Sequence, residues 1–339
     1  MDKAAMTAGI KATAHALGYE SCGVIPADSL KEYSVYLEER INRFPHSRKL
    51  YKPLSDLGSP NKKATWARSI VICVRSYDKY AIPPGIDQYF GKLYLFDGRL
   101  KYSEEYKNTV LFESYFRSLG LTFFKDSVAA RWAAVKAGLG QFGKNNFLYT
   151  EHGSWVYVDT WTVNVELQYD GPLALAQACP KNCRRCIDAC PTRALSEPFA
   201  MDRGSCIAQL SFFSSGLPAN HLRDQMGTWL YGCDVCQDVC PKNRNKWHAE
   251  REFPGLAALV ELLAPEKLVE MDKETFLELI QPRFWYIGQE DLWLWKCNAI
   301  RAMANSNDAK YHPYIRRACK ESDDNVRHMG SWARNKLGI

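Results

Sequence analysis

Apolar residues recur at helical spacing over residues 3–17, and Gly18 follows as a stop. Ser69-Ile-Val-Ile-Cys-Val74 is a short, β-branched apolar run and predicts a buried strand. Glu104 to Leu119 predicts a helix ended by Gly120, and Leu121-Thr-Phe-Phe124 a strand. Arg131 to Ala137 is rich in alanine and predicts a helix stopped by Gly138. Trp155 to Val165 alternates and is full of β-branched and aromatic residues, the pattern of a strand. To about residue 168 the chain therefore has α/β character. From about 251 onward the pattern is helical throughout. Trp293–Ala304 and His312–Lys320 predict an antiparallel helix pair, and Asn325–Leu337 begins another. Stacked pairs of this kind form short solenoids, but one and a half units are too few to stand alone, so they should pack on the rest.

Composition agrees with a large packed core: of 339 residues 46% are hydrophobic and 13% aromatic. No apolar run approaches the roughly 18 residues that span a membrane, and the opening Met1-Asp2-Lys3-Ala4-Ala5 does not resemble a secretory signal. A cytoplasmic protein is expected. The net charge is +6, and from Lys296 to the end nine Lys or Arg face four Asp or Glu. That surplus fits a solvated basic face or contact with nucleic acid.

Between 169 and 250 the chemistry changes. Cys179-Pro-Lys-Asn-Cys183-Arg-Arg-Cys186-Ile-Asp-Ala-Cys190-Pro191 is followed by lone Cys206 and by Cys233-Asp-Val-Cys236-Gln-Asp-Val-Cys240-Pro241. Thiolates at x2 and x3 intervals, each run closed by Cys-Pro, wrap two cubane iron–sulfur clusters; the fourth cysteine of each run serves the other cluster. The partition is Cys179, Cys183, Cys186 and Cys240 on one cluster, with Cys190, Cys206, Cys233 and Cys236 on the other. The gap from Cys179 to Cys183 is one residue longer than usual, so either the loop bulges or Cys179 is not a ligand. Paired four-cysteine zinc sites are the competing reading. Cys22, Cys73, Cys297 and Cys319 are scattered and read as ordinary buried residues.

Other motifs carry less. Gly138-Leu-Gly140-Gln-Phe-Gly143 matches the dinucleotide fingerprint only formally, because a helix precedes the glycines where a strand should. Asp126 lies between a strand-like segment and a helix, a common place for a catalytic carboxylate and equally for an N-cap. The seven histidines show no metal-pair spacing.

Together, Arg131-Trp-Ala-Ala-Val-Lys-Ala-Gly-Leu-Gly140, Gly143-Lys144-Asn145, Gly153-Ser154, the two Cys-Pro runs, Tyr231-Gly232-Cys233-Asp234, Trp295–Asn305 and Ser331-Trp332-Ala333 resemble the epoxyqueuosine reductase family over most of the chain. The resemblance implies an α+β architecture: a modified nitroreductase-like cobalamin-binding domain (1–168), a ferredoxin-like domain with two [4Fe-4S] clusters (169–250) and a helical HEAT-like domain (251–339). It implies corrin contacts at Leu148, Thr150, Val158, Ala208 and the Cys233-Asp234-Val235-Cys236 loop, a looser one at Arg43, and Asp126 as proton donor to the substrate. The interval from Asp126 to Arg131 is two residues shorter than the family's. Gly98-Arg99-Leu-Lys-Tyr102 replaces an Arg-Asp-Tyr-His run, and Gly204-Ser-Cys206-Ile-Ala208 departs around the lone cysteine.

The expected activity is therefore a cobalamin-dependent oxidoreductase of tRNA queuosine biosynthesis. It would be a monomer taking electrons from ferredoxin or flavodoxin and holding tRNA on its basic C-terminal helices. The alternatives are a paralogue reducing a small molecule such as an organohalide, and a ferredoxin-type electron carrier without cobalamin.

Overall fold

In the computed structural model, residues 2–170, 179–213 and 216–339 are described. The first expected helix forms as α1 (Lys3–Ala16). A second, α2 (Lys31–Arg43), was not expected from the sequence; its charged surface leaves only Tyr33, Leu37 and Ile41 buried. Then come α3 (Glu104–Ser118) and α4 (Ala130–Lys136), both where the pattern places them. Ser103 caps α3 by accepting the Tyr106 N–H.

Four strands make the main sheet: β1 (Ser21–Pro26), β2 (Ser69–Ser76), β3 (Phe123–Lys125) and β4 (Val156–Val163), in the order β1-β2-β4-β3 with every pair antiparallel. Strand β2 is buried along its whole length because helices cover both faces, hence its unbroken apolar run. Ile70, Ile72 and Val74 face Ala133, Ala134 and Val135 of α4. Val71, Cys73 and Trp161 face α1 and α3. Strand β3 starts two residues later than expected: Leu121 turns into the core, and the Thr122 N–H donates to Asn164 Oδ1 at 3.0 Å rather than to a strand neighbour. On the α1 and α3 side Asp159 lies under Arg75 and Lys125, each 2.9 Å away. Burial alone would raise its pKa, but the two cations outweigh it and hold the carboxyl below its ordinary value.

Beyond the sheet the cysteine runs contribute α5 (Arg185–Asp188) and α7 (Val235–Asp238), with α6 (Ile207–Phe212) between them. The expected C-terminal helices follow as α8 (Leu292–Ser306), α9 (His312–Ala318) and α10 (Asp324–Leu337). They have no core of their own. Leu294, Trp295, Ile300 and Met303 belong to one apolar cluster with Tyr77, Phe90, Phe96 and Tyr231. Trp295 stacks on Tyr231 with ring centres 5.3 Å apart and planes 10° from parallel. Among the described residues no helix is long and apolar enough to cross a membrane.

Candidate active site

The two Cys-Pro runs fold alike, so their sequence repeat is also a structural one. The Ile187 and Asp188 N–H groups donate to Arg184 O, and those of Gln237 and Asp238 donate to Asp234 O. Each short helix thus starts between the first two cysteines of its Cys-x2-Cys unit and ends before Cys-Pro. Burial pushes the Cys186 thiol up to about 11, and Cys179, Cys240 and Cys183 beside it push the same way. The Cys236 thiol is likewise raised by burial, then by Cys233, Cys206, Asp234 and Cys190. The sulfur neighbours of Cys186 are thus Cys179, Cys183 and Cys240, and those of Cys236 are Cys190, Cys206 and Cys233. Among the described residues no three His, Cys, Asp or Glu side chains close on one point as around a single ion. Four thiolates crowded in a desolvated site repel one another, and a cationic iron–sulfur cage relieves that repulsion.

The extra residue after Cys179 is absorbed in a turn, with the Cys183 N–H donating to Pro180 O at 3.1 Å. Lys144, 6% exposed, is the reason this turn is held. Its ammonium donates to Pro180 O, Lys181 O and Cys183 O at 3.0, 2.7 and 2.8 Å, and its own N–H reaches Cys179 Sγ at 3.4 Å. Next to it Asn145 Nδ2 donates to Cys236 O at 3.0 Å and to the Tyr149 hydroxyl at 3.0 Å. Ser154 donates to Gln237 Oε1 at 2.8 Å, and Asn243 returns Nδ2 to Ser154 Oγ at 2.9 Å. The Gly-Lys-Asn and Gly-Ser elements are therefore clasps that fix the cysteine loops to the sheet. From α8, Asn298 Nδ2 donates to Ser211 O and Leu230 O at 2.8 and 3.0 Å, and buried Arg301 donates to Gly227 O and Trp229 O. Burial lowers the Arg301 pKa to about 10. Gly232, at φ +80°, brings this segment against Tyr94, whose ring would lie 2.3 Å from any Cβ there.

Cys206, Cys233 and Cys236 are partly exposed; Cys206 lies beside Tyr94, and Cys236 beside Arg131. Tyr94 packs edge-on against Phe212 and Tyr231 and lies 6.0 Å from Tyr286. Arg131 reaches solvent, yet burial lowers its pKa against the opposing pull of Tyr94, Tyr77, Cys236 and Tyr286. Accessible yet surrounded by protein, Arg131 lies in a cleft with Cys236 beside it. Arg203 is lowered in the same way by burial, with Tyr51, Cys206, Tyr33 and Tyr94 opposing. Arg99 stands over the Trp285 ring at 3.8 Å and is also paired to Asp97. At the floor, Asp234 accepts the Lys92 N–H at 2.7 Å and Gln237 Nε2 at 2.7 Å; burial raises its carboxyl to about 6.

At the other end of α4 lies a hollow of about 680 Å³ lined by Val74, Val135, Gly140, Thr150 and His152 among others. A seven-residue helix spans only about 10 Å, so cleft and hollow flank the same element. Of the residues implied as corrin contacts, Thr150 lines this hollow. Leu148 packs against Gly140 in its wall, and Val158 is the strand partner of Val74. Ala208 and the Cys233–Cys236 loop belong to the cleft; Ala208 and Gln209 give their N–H groups to Cys206. Arg43 stands apart, paired with Glu197. Asp126 is exposed, at φ 55°, with its carboxylate 2.6 Å from Lys125 Nζ; it does not cap α4, whose N-cap is Ala129. The donor set fits two iron–sulfur clusters, and the openings, with the Arg203 Nε beside Cys206 and Tyr94 left without a partner, fit a large polar cofactor.

A family model described as a 4Fe-4S double cluster binding domain matches residues 178–243. The chain is similar to epoxyqueuosine reductase of Leadbetterella byssophila, at 34% identity over 258 residues, 72% of this chain and 82% of the relative. It is similar to that of Cyclobacterium marinum at 34% over 279 residues, 79% and 87% of the two chains. Among solved structures, epoxyqueuosine reductase from Bacillus subtilis, with its catalytic aspartate loop swung out of the active site, superposes with a TM-score of 0.81 at 23% identity, covering 99% of this chain and 91% of the other. Epoxyqueuosine reductase bound to an epoxyqueuosine-modified tRNA stem loop gives 0.78 at 23% identity, with the same coverage. These two structures share the fold.

Proposed function

The chain belongs to the epoxyqueuosine reductase family, and from that premise we propose that it reduces the epoxide of epoxyqueuosine in tRNA, using two [4Fe-4S] clusters and cobalamin. The observation that carries the reading is the pair of Cys-Pro runs that fold alike and are clasped by Lys144 and Asn145. Residues 1–168, 169–250 and 251–339 would serve as cofactor-binding, electron-carrying and HEAT-like RNA-holding regions of a cytoplasmic monomer. Bound cobalamin would supply strongly reducing cobalt, the chemistry that side chains lack.

The chain's own part is positioning. Lys144 and Asn145 hold the cysteine loops against the sheet. Arg131, Arg203 and Arg99 bring positive charge to a cleft that must admit an anionic tRNA loop. Thr150, Leu148 and Val158 would hold one part of the corrinoid, and Ala208 with the Cys233–Cys236 loop another. Opening the epoxide to an alkene consumes two electrons and two protons and releases water; Asp126 is the proposed donor of one proton. For that it must part from Lys125 and turn inward.

The experiment is turnover of epoxyqueuosine-containing tRNA by anaerobically reconstituted, reduced protein, with nucleosides read by mass spectrometry. Queuosine should appear, and Asp126→Asn should slow its formation by about 10²–10⁴-fold with iron and cobalt content unchanged. Untouched tRNA, with both cofactors loaded, would refute the assignment.

A further inference from the structure

The group of Cys179, Cys183, Cys186 and Cys240 has its own opening to solvent. A groove of about 580 Å³ runs between α5 and α7, walled by Arg185, Asp188, Asp238, Val239, Cys240 and Arg244. Lys181, Arg185, Lys242 and Arg244 are all exposed around it. Neither carboxylate is free to balance them: Asp188 pairs with Arg184 at 3.4 Å and Asp238 with Lys92 at 2.5 Å. Among the described residues the four cations form no ion pair of their own. The C-terminal tail, which holds the charge surplus in the sequence, is more fully paired. Of its nine cations Lys296, Lys310, Arg317, Arg327 and Lys336 pair with carboxylates and Arg301 is buried, which leaves Arg316, Lys320 and Arg334 without an ion pair among the described residues. Unneutralised positive charge therefore stands at the groove.

We propose that this groove is where the electron donor docks, and that the donor is a small acidic protein carrying one electron on a cofactor at its surface, such as a flavodoxin. The proposal rests on the reading that the eight cysteines hold two clusters; it does not depend on the substrate. An electron path needs two ends. The Cys206–Cys233–Cys236 end borders the cleft, so the Cys240 end is left to face the donor. There the wall of the groove is itself a cluster ligand, so a bound donor comes close to the iron. Charge is also placed as an encounter requires: free cations ringing a concave mouth attract an acidic partner and speed association by about 10–10³-fold. A nucleic acid strand would want a longer track of cations following its phosphates, whereas this patch is confined to the mouth. In the transfer one electron leaves the reduced donor and enters an oxidised [4Fe-4S] cluster; no bond changes and no proton moves.

The test is rapid mixing of the full-length, cluster-loaded protein with reduced flavodoxin, following the bleaching of iron–sulfur absorbance. The Arg185→Glu/Arg244→Glu variant should be reduced about tenfold or more slowly at low salt. Its rate should lose the steep salt dependence of the parent. Reduction by methyl viologen radical, a small cation, should be no slower, and affinity for a tRNA stem loop should be unchanged. If this variant loses iron, Lys181→Glu/Lys242→Glu on the rim is expected to behave the same way. Unchanged donor kinetics in a cluster-loaded variant would overturn the proposal. So would a variant that keeps its donor rate but loses the stem loop, since the groove would then be a nucleic-acid surface. Failure to reduce epoxyqueuosine while donor kinetics remain charge-dependent would count against the functional reading alone.

Discussion

Lys144 shows how much one side chain can organise. Its ammonium is buried yet forms no ion pair among the described residues; three carbonyls of the turn after Cys179 solvate it instead. The longer gap between Cys179 and Cys183 makes that turn, and the lysine makes the turn stable. Replacing Lys144 by Met would leave three inward carbonyls without a donor, at roughly 1–3 kcal/mol for each that water cannot reach. The expected outcome is selective loss of the cluster that Cys179 serves, so that iron content falls by about half while the second set of four cysteines stays loaded; iron analysis with electron paramagnetic resonance checks it. Asp126 teaches the converse. Sequence places it well for catalysis, but the short connection to α4 leaves its carboxylate beside Lys125.

At the level of elements, the cysteine repeats are positioned by segments that contain no cysteine. The turn between Phe142 and Leu148 supplies Asn145, the segment just before β4 supplies Ser154, α8 supplies Asn298 and Arg301, and Tyr231 is stacked on Trp295. Gly232 is one unforgiving point of this assembly, being in the left-handed region and in contact with both Tyr94 and Gly91. Gly232→Ala should displace the Cys233 loop: a methyl group cannot occupy space 2.3 Å from a packed ring. The variant is expected to lower the thermal midpoint and to lose the cluster that borders the cleft first, as followed by absorbance during heating. Neither Lys144 nor Asn298 stands out in the sequence by type. Only their places within Gly143-Lys144-Asn145 and Trp295–Asn305 mark them, and those motifs do not say what they touch.

For the molecule as a whole, the C-terminal helices share a core with residues 77–100 and 212–231. They are therefore expected to contribute to cofactor retention as well as to the proposed RNA contact. A chain ending before Leu292 would expose Tyr231, Phe90 and Phe284, which Trp295 now covers. It is expected to lose its iron and to aggregate, whereas a detachable RNA-binding appendage would leave a loaded, monomeric remainder; size-exclusion chromatography with iron analysis distinguishes the two. Charge is also redistributed at this scale. Five of the nine tail cations are consumed in ion pairs, and among the described residues Lys181, Arg185, Lys242 and Arg244 stand unpaired around the groove at Cys240.

Local rules carried the reading from sequence a long way. Helix stops at Gly18, Gly120 and Gly138, the buried strand expected at 69–74 and the matching turns of the two Cys-Pro runs all depend on residues near one another in the chain, where spacing alone sets geometry. Three kinds of fact depended on the folded chain: which carbonyls Lys144 meets, which cations are left unpaired, and which residues wall the cleft. Each requires groups tens of residues apart to meet. That meeting is fixed by how apolar faces pack in three dimensions, which no linear spacing records.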